Sequence, residues 1–137
     1  MVFPIKGSCQ CGQLTFKLFE KPKMVVACHC IECQKLSTSS FSVSAIIASN
    51  AIESKGELKE WSRSSDSGNT NNAKFCPTCG NRVYHYNPDD LGSIKLKLKP
   101  VNLVEPEMFE PTIHAWVCEK LSWYKIPDGV KVFDQQP

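Results

Sequence analysis

Eight cysteines in this 137-residue chain constrain its fold more than any other sequence feature. Seven are spaced as Cys-x-Cys, Cys-x-Cys-x-x-Cys and Cys-x-x-Cys, and the eighth stands alone: Cys9, Cys11, Cys28, Cys30, Cys33, Cys76, Cys79 and Cys118. Cysteines this close would form small, strained rings if they were bridged to one another. The first residues also lack a secretory signal pattern, so we expect a reducing, cytoplasmic location where disulfides are rare. The spacing therefore favours metal binding.

Two of the clusters predict a closed zinc site. Cys9 and Cys11 flank a single residue, so on an extended strand both sulfurs leave the same face. Cys76 and Cys79 precede Gly80, which can adopt the positive φ that a tight zinc-binding turn requires. Together the two pairs supply four thiolates, the tetrahedral ligand set of a structural zinc ion.

The remaining cluster offers three thiolates, from Cys28, Cys30 and Cys33. Three protein ligands and one open position are typical of catalytic zinc. The alternative is a second closed site that His29 or Cys118 completes. We expect His29 to point away from the metal, because alternate residues of an extended segment face opposite sides. Cys118 follows an apolar stretch and is expected to be a small buried hydrophobe.

Apolar residues alternate with polar ones along much of the chain, which predicts a mainly β fold of antiparallel sheets. Lys95, Lys97 and Lys99 alternate with apolar residues and are expected to form a solvated strand face. The polar stretch 62–72 is expected to be a mobile hairpin loop, either idle or acting as a lid. Strands are predicted at 14–18, 41–48, 57–63, 73–76, 82–86, 94–98 and 112–118, and short helical turns at 31–37 and 119–123.

Length and composition predict one soluble domain spanning residues 1–137. Apolar residues make up 42% of the chain and charged residues 22%, values close to those of folded globular proteins. A formal net charge of +2 provides no field that would hold nucleic acid or an anionic membrane. The apolar runs fall far short of the about 18 residues that a membrane span needs. We therefore expect neither nucleic acid nor a membrane as a partner, and the sequence is compatible with a homo-oligomer.

The cysteine clusters and their flanking residues, taken in order, resemble the glutathione-dependent formaldehyde-activating enzyme family. Centromere protein V proteins share this motif set. The resemblance rests on Gly-Ser-Cys-Gln-Cys-Gly at 7–12, Ala-Cys-His-Cys-Ile-Glu-Cys-Gln-Lys at 27–35, Phe-Cys-Pro-Thr-Cys-Gly at 75–80, and the stretches 114–116 and 121–128. It covers nearly the whole chain, from residue 7 to about residue 133.

The resemblance implies a tent-like fold of two sheets with two zinc ions per chain, one structural and one catalytic. The structural ion would be held by Cys9, Cys11, Cys76 and Cys79, and the catalytic ion by Cys28, Cys30 and Cys33. The implied activity is that of a carbon-sulfur lyase that joins formaldehyde and glutathione reversibly into S-(hydroxymethyl)glutathione. A thiol such as glutathione and a small aldehyde are therefore the implied partners.

Several further residues are candidates for the substrate site. Lys35 could meet a substrate carboxylate, or it could be a solvated charge. His114, beside Trp116 on a predicted strand, could line the substrate pocket, or it could be a half-buried histidine with its hydrogen bonds satisfied. His85 is expected to be at the surface or in sheet packing. Thr38 stands where the family commonly has glycine, and its β-branched side chain would narrow a site at that position.

A second function follows from the same resemblance, namely a non-catalytic, zinc-stabilised binding module of the centromere protein V type. A module that binds chromatin or microtubules is expected to carry a basic or disordered extension. The motifs of this chain begin at Gly7 and its sequence ends at Pro137, which favours the enzyme.

Overall fold

The computed structural model describes residues 3–65, 68–100 and 105–137. Within these ranges the chain forms eleven strands and one α-helix: β1 (Ile5–Ser8), β2 (Thr15–Leu18), β3 (Met24–Cys28), α1 (Ile31–Ser37), β4 (Ser42–Ala48), β5 (Ile52–Lys55), β6 (Lys59–Ser64), β7 (Thr70–Phe75), β8 (Arg82–Asn87), β9 (Asp90–Leu96), β10 (Ile113–Ala115) and β11 (Lys131–Val132). Short 3-10 helices lie at Ser49–Ala51, Pro106–Phe109 and Val117–Glu119. In the described part of the chain, no helix has the length and apolar character needed to cross a membrane.

The strands form two sheets, which confirms the predicted mainly β architecture. The small sheet has the order β1-β2-β5, and the large sheet has the order β11-β10-β3-β4-β9-β8-β7-β6. Most neighbouring strands are antiparallel, as predicted. The exception is β10, which runs parallel to both β3 and β11.

The hydrophobic core joins the small sheet to one face of the large sheet. Phe16 and Leu18 of β2 pack in one cluster with Val25 of β3, Ile47 of β4 and Leu96 of β9. Leu18 and Leu96 are completely buried. Burying a side chain of this size contributes roughly 1.5–3 kcal/mol, so this face accounts for much of the fold's stability.

The opposite face of the large sheet carries both polar and apolar side chains, together with Cys28. Strand register places Ile46, Lys95, His85, Ala73 and Trp61 in one row across β4, β9, β8, β7 and β6. In the same register Cys28 lies opposite Ser42, and Val26 lies opposite Ser44. Because paired residues in a sheet share a face, these side chains line one surface that the core leaves open.

Local predictions of secondary structure succeeded more often than those that depend on tertiary contacts. The predicted helical turn at 31–37 is α1. Each predicted strand is present, although its ends shift by up to a few residues. At the helical turn predicted at 119–123, the structure has a 3-10 helix that ends at Glu119 and a turn closed by the Tyr124 N–H and the Leu121 carbonyl. The strand predicted at 112–118 ends at Ala115, because Trp116 adopts a left-handed conformation with φ of 55°.

The stretch 62–72, which was expected to be a loop, is mostly a β-hairpin. Arg63 of β6 pairs with Asn71 of β7, and Ser62 pairs with Asn72. Residues 66 and 67 of the predicted loop lie outside the described ranges. The sequence pattern does not predict this part of the hairpin, because several of its polar side chains face a cavity rather than the core. Its strands therefore show no apolar alternation.

Candidate metal centres

Four cysteines converge where the two sheets meet. Cys9 and Cys11 follow β1, Cys76 follows β7, and Cys79 lies in the turn before β8. Their Sγ atoms all lie within 4.8 Å of one another, with 3.5 Å between Cys9 and Cys11 and 3.6 Å between Cys11 and Cys76. Tetrahedral zinc with Zn–S bonds of about 2.3 Å places sulfurs roughly 3.8 Å apart, so this four-cysteine cluster can hold a metal ion with little movement.

Hydrogen-bond donors in the four-cysteine cluster stabilise negative charge on the Cys76 sulfur. The Cys76 Sγ accepts from the backbone N–H groups of Thr78 (3.4 Å) and Cys79 (3.5 Å), and from Gln13 Nε2 (3.0 Å). Burial raises the pKa of Cys76, but the Cys79 N–H and the Gln13 amide outweigh burial and lower it to about 6. Gly80 has the predicted positive φ, 79°. The donors are those that a bound thiolate needs, so the residues fit a thiophilic metal such as zinc.

The three-cysteine cluster, Cys28, Cys30 and Cys33, forms where β3 runs into α1. Cys28 ends β3, and Cys30 caps the helix by accepting the Cys33 N–H at 3.2 Å. The three Sγ atoms lie within 4.8 Å of one another. Hydrogen bonds from the Cys28 and Cys30 thiols lower the pKa of Cys33, and the charge of Lys97 and a bond from Ser42 lower it further, although burial opposes them. The cluster therefore favours a thiolate and can hold a metal ion.

A large cavity of about 640 Å³ opens beside the three-cysteine cluster. Its walls are the face of the large sheet opposite the core, α1 and the β6-β7 hairpin. Arg63, Lys95 and Lys97 contribute positive charge to its lining, and Glu32 and Glu119 contribute negative charge. The four-cysteine cluster does not line this cavity. Of the two cysteine clusters in the described ranges, the three-cysteine cluster is the one that combines a metal-binding arrangement with room for a substrate.

The lysine stripe is not the solvated face that its alternation predicted. Lys95 is exposed, but the Lys97 amine donates to Ser44 Oγ (2.6 Å) and Ser42 Oγ (3.1 Å). The Lys99 amine donates to two backbone carbonyls. The alternation was correct, but this face of the strand borders the large cavity beside the cysteines. Lys97 is thus a site residue that the sequence did not identify.

His85 is also part of the cavity wall, buried within the sheet rather than at the surface. Its Nε2 accepts from Arg82 Nη1 at 3.0 Å. Burial, together with the positive charges of Lys97 and Arg82, lowers the pKa of His85 to about 3. His85 is therefore a neutral, fixed element of the wall.

His114 and His29 form a buried pair behind the three-cysteine cluster. His29 Nε2 lies 2.8 Å from His114 Nδ1, and both rings contact Tyr124. His114 pairs with Ala27 across the strands, so it faces away from Cys28 and is absent from the lining of the large cavity. His29 belongs to neither cysteine cluster, as predicted. Direct contact between His114 and a substrate stays a prediction.

Lys35 and Thr38 lie toward the outside of α1. Lys35 is 67% exposed and pairs with Glu32 at 3.1 Å, beside a small cavity of about 260 Å³ whose lining also includes Arg63. Its binding to substrate stays a prediction. Thr38 caps the carboxyl end of α1 with φ of 48°, outside the lining of the large cavity. Glycine suits this position because its backbone is left-handed, and Thr38 does not narrow the large cavity.

Cys118, the eighth cysteine, is exposed rather than buried. The left-handed turn at Trp116 ends β10 before Cys118 and moves it into the 3-10 helix that follows. Cys118 belongs to neither cysteine cluster. It therefore serves as a natural control for cysteine variants.

Comparison with known proteins agrees with this arrangement. The fold is similar to that of a Rhodobacter sphaeroides protein, a structural-genomics target with a known crystal structure. The TM-score is 0.54, and the two chains are 20% identical over 72% of this chain and 91% of that chain. No curated protein matches the sequence. The model of the glutathione-dependent formaldehyde-activating enzyme family matches residues 4–119, which include both cysteine clusters. The chain therefore belongs to the glutathione-dependent formaldehyde-activating enzyme family.

Proposed function

We propose that this protein is a carbon-sulfur lyase that adds a small aldehyde to a thiol, or reverses that addition, at zinc held by Cys28, Cys30 and Cys33. Glutathione and formaldehyde are the pair that the family description names. The observation that carries the proposal is the opening of the three-cysteine cluster onto the large cavity. A binding module that used zinc only for stability would have no need of such a cavity.

Each cluster has a distinct part in this proposal. The four-cysteine cluster supplies all four ligands of a structural zinc ion and connects the small sheet to the large one. The three-cysteine cluster leaves one position for substrate. Zinc bound there would supply Lewis acidity and stabilise a thiolate at neutral pH.

The proposed reaction is an addition that conserves all atoms and the net charge. The thiol sulfur bonds to the aldehyde carbon, the carbonyl π bond opens, and the thiol proton ends on the oxygen. The chain must therefore bind a thiol, orient an aldehyde and limit competing water. The face of the large sheet opposite the core and α1 border the cavity in which the reacting groups would lie.

The charged walls suit a thiol that carries carboxylates. Arg63 and Lys95 line the large cavity away from the cysteines' own strand, where they can bind the carboxylates of a peptide thiol such as glutathione. Lys35 borders the adjoining small cavity and would meet a carboxylate that extends into it. His114 would act through its contact with His29, which lies between Cys28 and Cys30 in the sequence. This contact would hold the segment that carries the two cysteines in place.

Two linked measurements test the proposal. Native mass spectrometry counts zinc and bound glutathione, and exchange NMR measures how fast formaldehyde and glutathione interconvert with their adduct. We expect the wild-type protein to hold two zinc ions and one glutathione and to accelerate the exchange. Cys30→Ser should keep one zinc ion and reduce the exchange rate to the uncatalysed background.

The matched control is Cys118→Ser, which removes an exposed cysteine outside both clusters and should behave as wild type. A protein that holds two zinc ions yet neither binds glutathione nor accelerates the exchange would overturn the proposal. Equal losses in Cys30→Ser and Cys118→Ser would show that the three-cysteine cluster has no special part.

A further inference from the structure

Lys97 places a positive charge beside the three-cysteine cluster. It follows β9 directly, and its amine is held by two buried hydroxyls, Ser42 Oγ at 3.1 Å and Ser44 Oγ at 2.6 Å. Strand register sets Ser42 directly opposite Cys28. The amine therefore lies on the same face of the large sheet as the cysteines, and both line the large cavity.

The charge of Lys97 has no carboxylate partner among the described residues. Glu119, an acid of the same cavity, accepts the Ile31 N–H at 2.9 Å. Burial lowers the pKa of Lys97 below its ordinary value, and the charges of Cys33 and Cys28 offset part of that effect. The cysteines are thus the negative groups whose charge favours this ammonium.

Charge balance at the three-cysteine cluster explains why such a group is useful. Zinc with three thiolates carries one net negative charge, and a fourth ligand that is an anion raises this to two. Accumulating negative charge in a partly desolvated site is unfavourable unless a cation lies close by. A neutral ligand gains nothing from that cation.

We propose that Lys97 is a charge-selecting residue, whose ammonium favours an anion over a neutral ligand at the position left open beside Cys28, Cys30 and Cys33. The anion would be the substrate thiolate if the proposed function holds, and in that respect the assignment rests on it. For charges roughly 6 Å apart at an effective dielectric constant of about 40, the attraction corresponds to about tenfold in affinity. Loading of the metal itself should change much less, because zinc displaces thiol protons and leaves the net charge of the cluster nearly unchanged.

The test uses full-length protein loaded with cobalt(II), whose visible spectrum reports ligands entering the open position. Azide and 2-mercaptoethanol are the two probes, since both bind as anions and neither carries a carboxylate. We expect Lys97→Met to weaken both about tenfold, and Lys97→Arg to stay within about threefold of wild type. Competition with a chelator should show that cobalt affinity is nearly unchanged.

Lys99→Met is the matched control, because Lys99 also has a hydrogen-bonded amine but does not line the large cavity. It should match Lys97→Met in thermal stability and wild type in azide affinity. If Lys97→Met fails to fold, Ser44→Ala keeps the ammonium but removes its shorter hydrogen bond, and it should weaken azide about two- to threefold.

The outcomes separate this assignment from the proposed function. Lys97-dependent azide binding without any binding of 2-mercaptoethanol would support the charge-selecting role and contradict the thiol chemistry. Equal azide affinity in wild type and Lys97→Met, or in wild type and Ser44→Ala if that variant is used, would overturn the role of Lys97 whatever the thiol does. A wild-type protein that binds neither probe, or no cobalt at the three-cysteine cluster, would overturn both.

Discussion

Gln13 connects the four-cysteine cluster to the small sheet, and its replacement tests whether that cluster stabilises the junction of the sheets. The side-chain amide donates from Nε2 to Glu57 O (2.8 Å) and Cys76 Sγ (3.0 Å), and its Oε1 accepts the Glu57 N–H at 2.9 Å. One side chain thus holds the backbone beyond β5 and a metal-binding sulfur together. Gln13→Ala removes all three contacts.

The expected effect has two parts. The two hydrogen bonds to Glu57 contribute about 1 kcal/mol each, so Gln13→Ala should lower the free energy of unfolding by about 2 kcal/mol. For a chain of this size that corresponds to roughly 6–8 °C in Tm. Loss of the bond to Cys76 should weaken zinc at the four-cysteine cluster about tenfold, as is typical when a partner of a metal ligand is removed.

Thermal unfolding followed by circular dichroism measures the first part, and competition with a chromophoric chelator measures the second. Gln10→Ala is the matched control, because Gln10 is exposed and, among the described residues, contributes only its backbone N–H to a hydrogen bond. Zinc at the three-cysteine cluster should be unaffected. If Gln13→Ala and Gln10→Ala retain zinc equally and melt together, Gln13 does not support the cluster.

The parts of the site that the sequence predicted are those set by local spacing. Cys28, Cys30 and Cys33 lie within six residues, so a strand end and one helical turn suffice to bring their sulfurs together. Cys76 and Cys79 similarly need only the turn that Gly80 completes. Their convergence with Cys9 and Cys11 required a further step, which the need of a closed zinc site for four thiolates predicted and the family resemblance supported.

The parts that the sequence did not predict depend on strand register. Alternation correctly places Lys97 and Leu96 on opposite faces of the sheet, but it does not show that the face with Lys97 borders a cavity. That fact follows from two pairings, Ile46 with Lys95 and Cys28 with Ser42, between residues far apart in the chain. His85 was missed for the same reason. A polar strand face is a site rather than a surface only when neighbouring strands bring ligands to it.

Two further predictions concern single residues whose environment the structure defines. Thr38→Gly should raise stability by about 1 kcal/mol, because glycine adopts the φ of 48° at the end of α1 without strain, and glutathione binding should not change; a lower Tm would contradict this account. His85→Gln tests pH dependence. The pKa of His85 falls from an ordinary 6.5 to about 3, so below pH 6.5 the unfolded chain binds a proton that the folded protein excludes. Burial of neutral His85 therefore contributes fully to the free energy of unfolding above pH 6.5. This contribution is lost as pH falls toward 3, by up to about 1.4 kcal/mol per pH unit. Urea unfolding at pH 7 and pH 5 should therefore show a loss of stability that is about 2 kcal/mol larger for wild type than for His85→Gln, and equal losses would show that His85 is not held neutral by the fold.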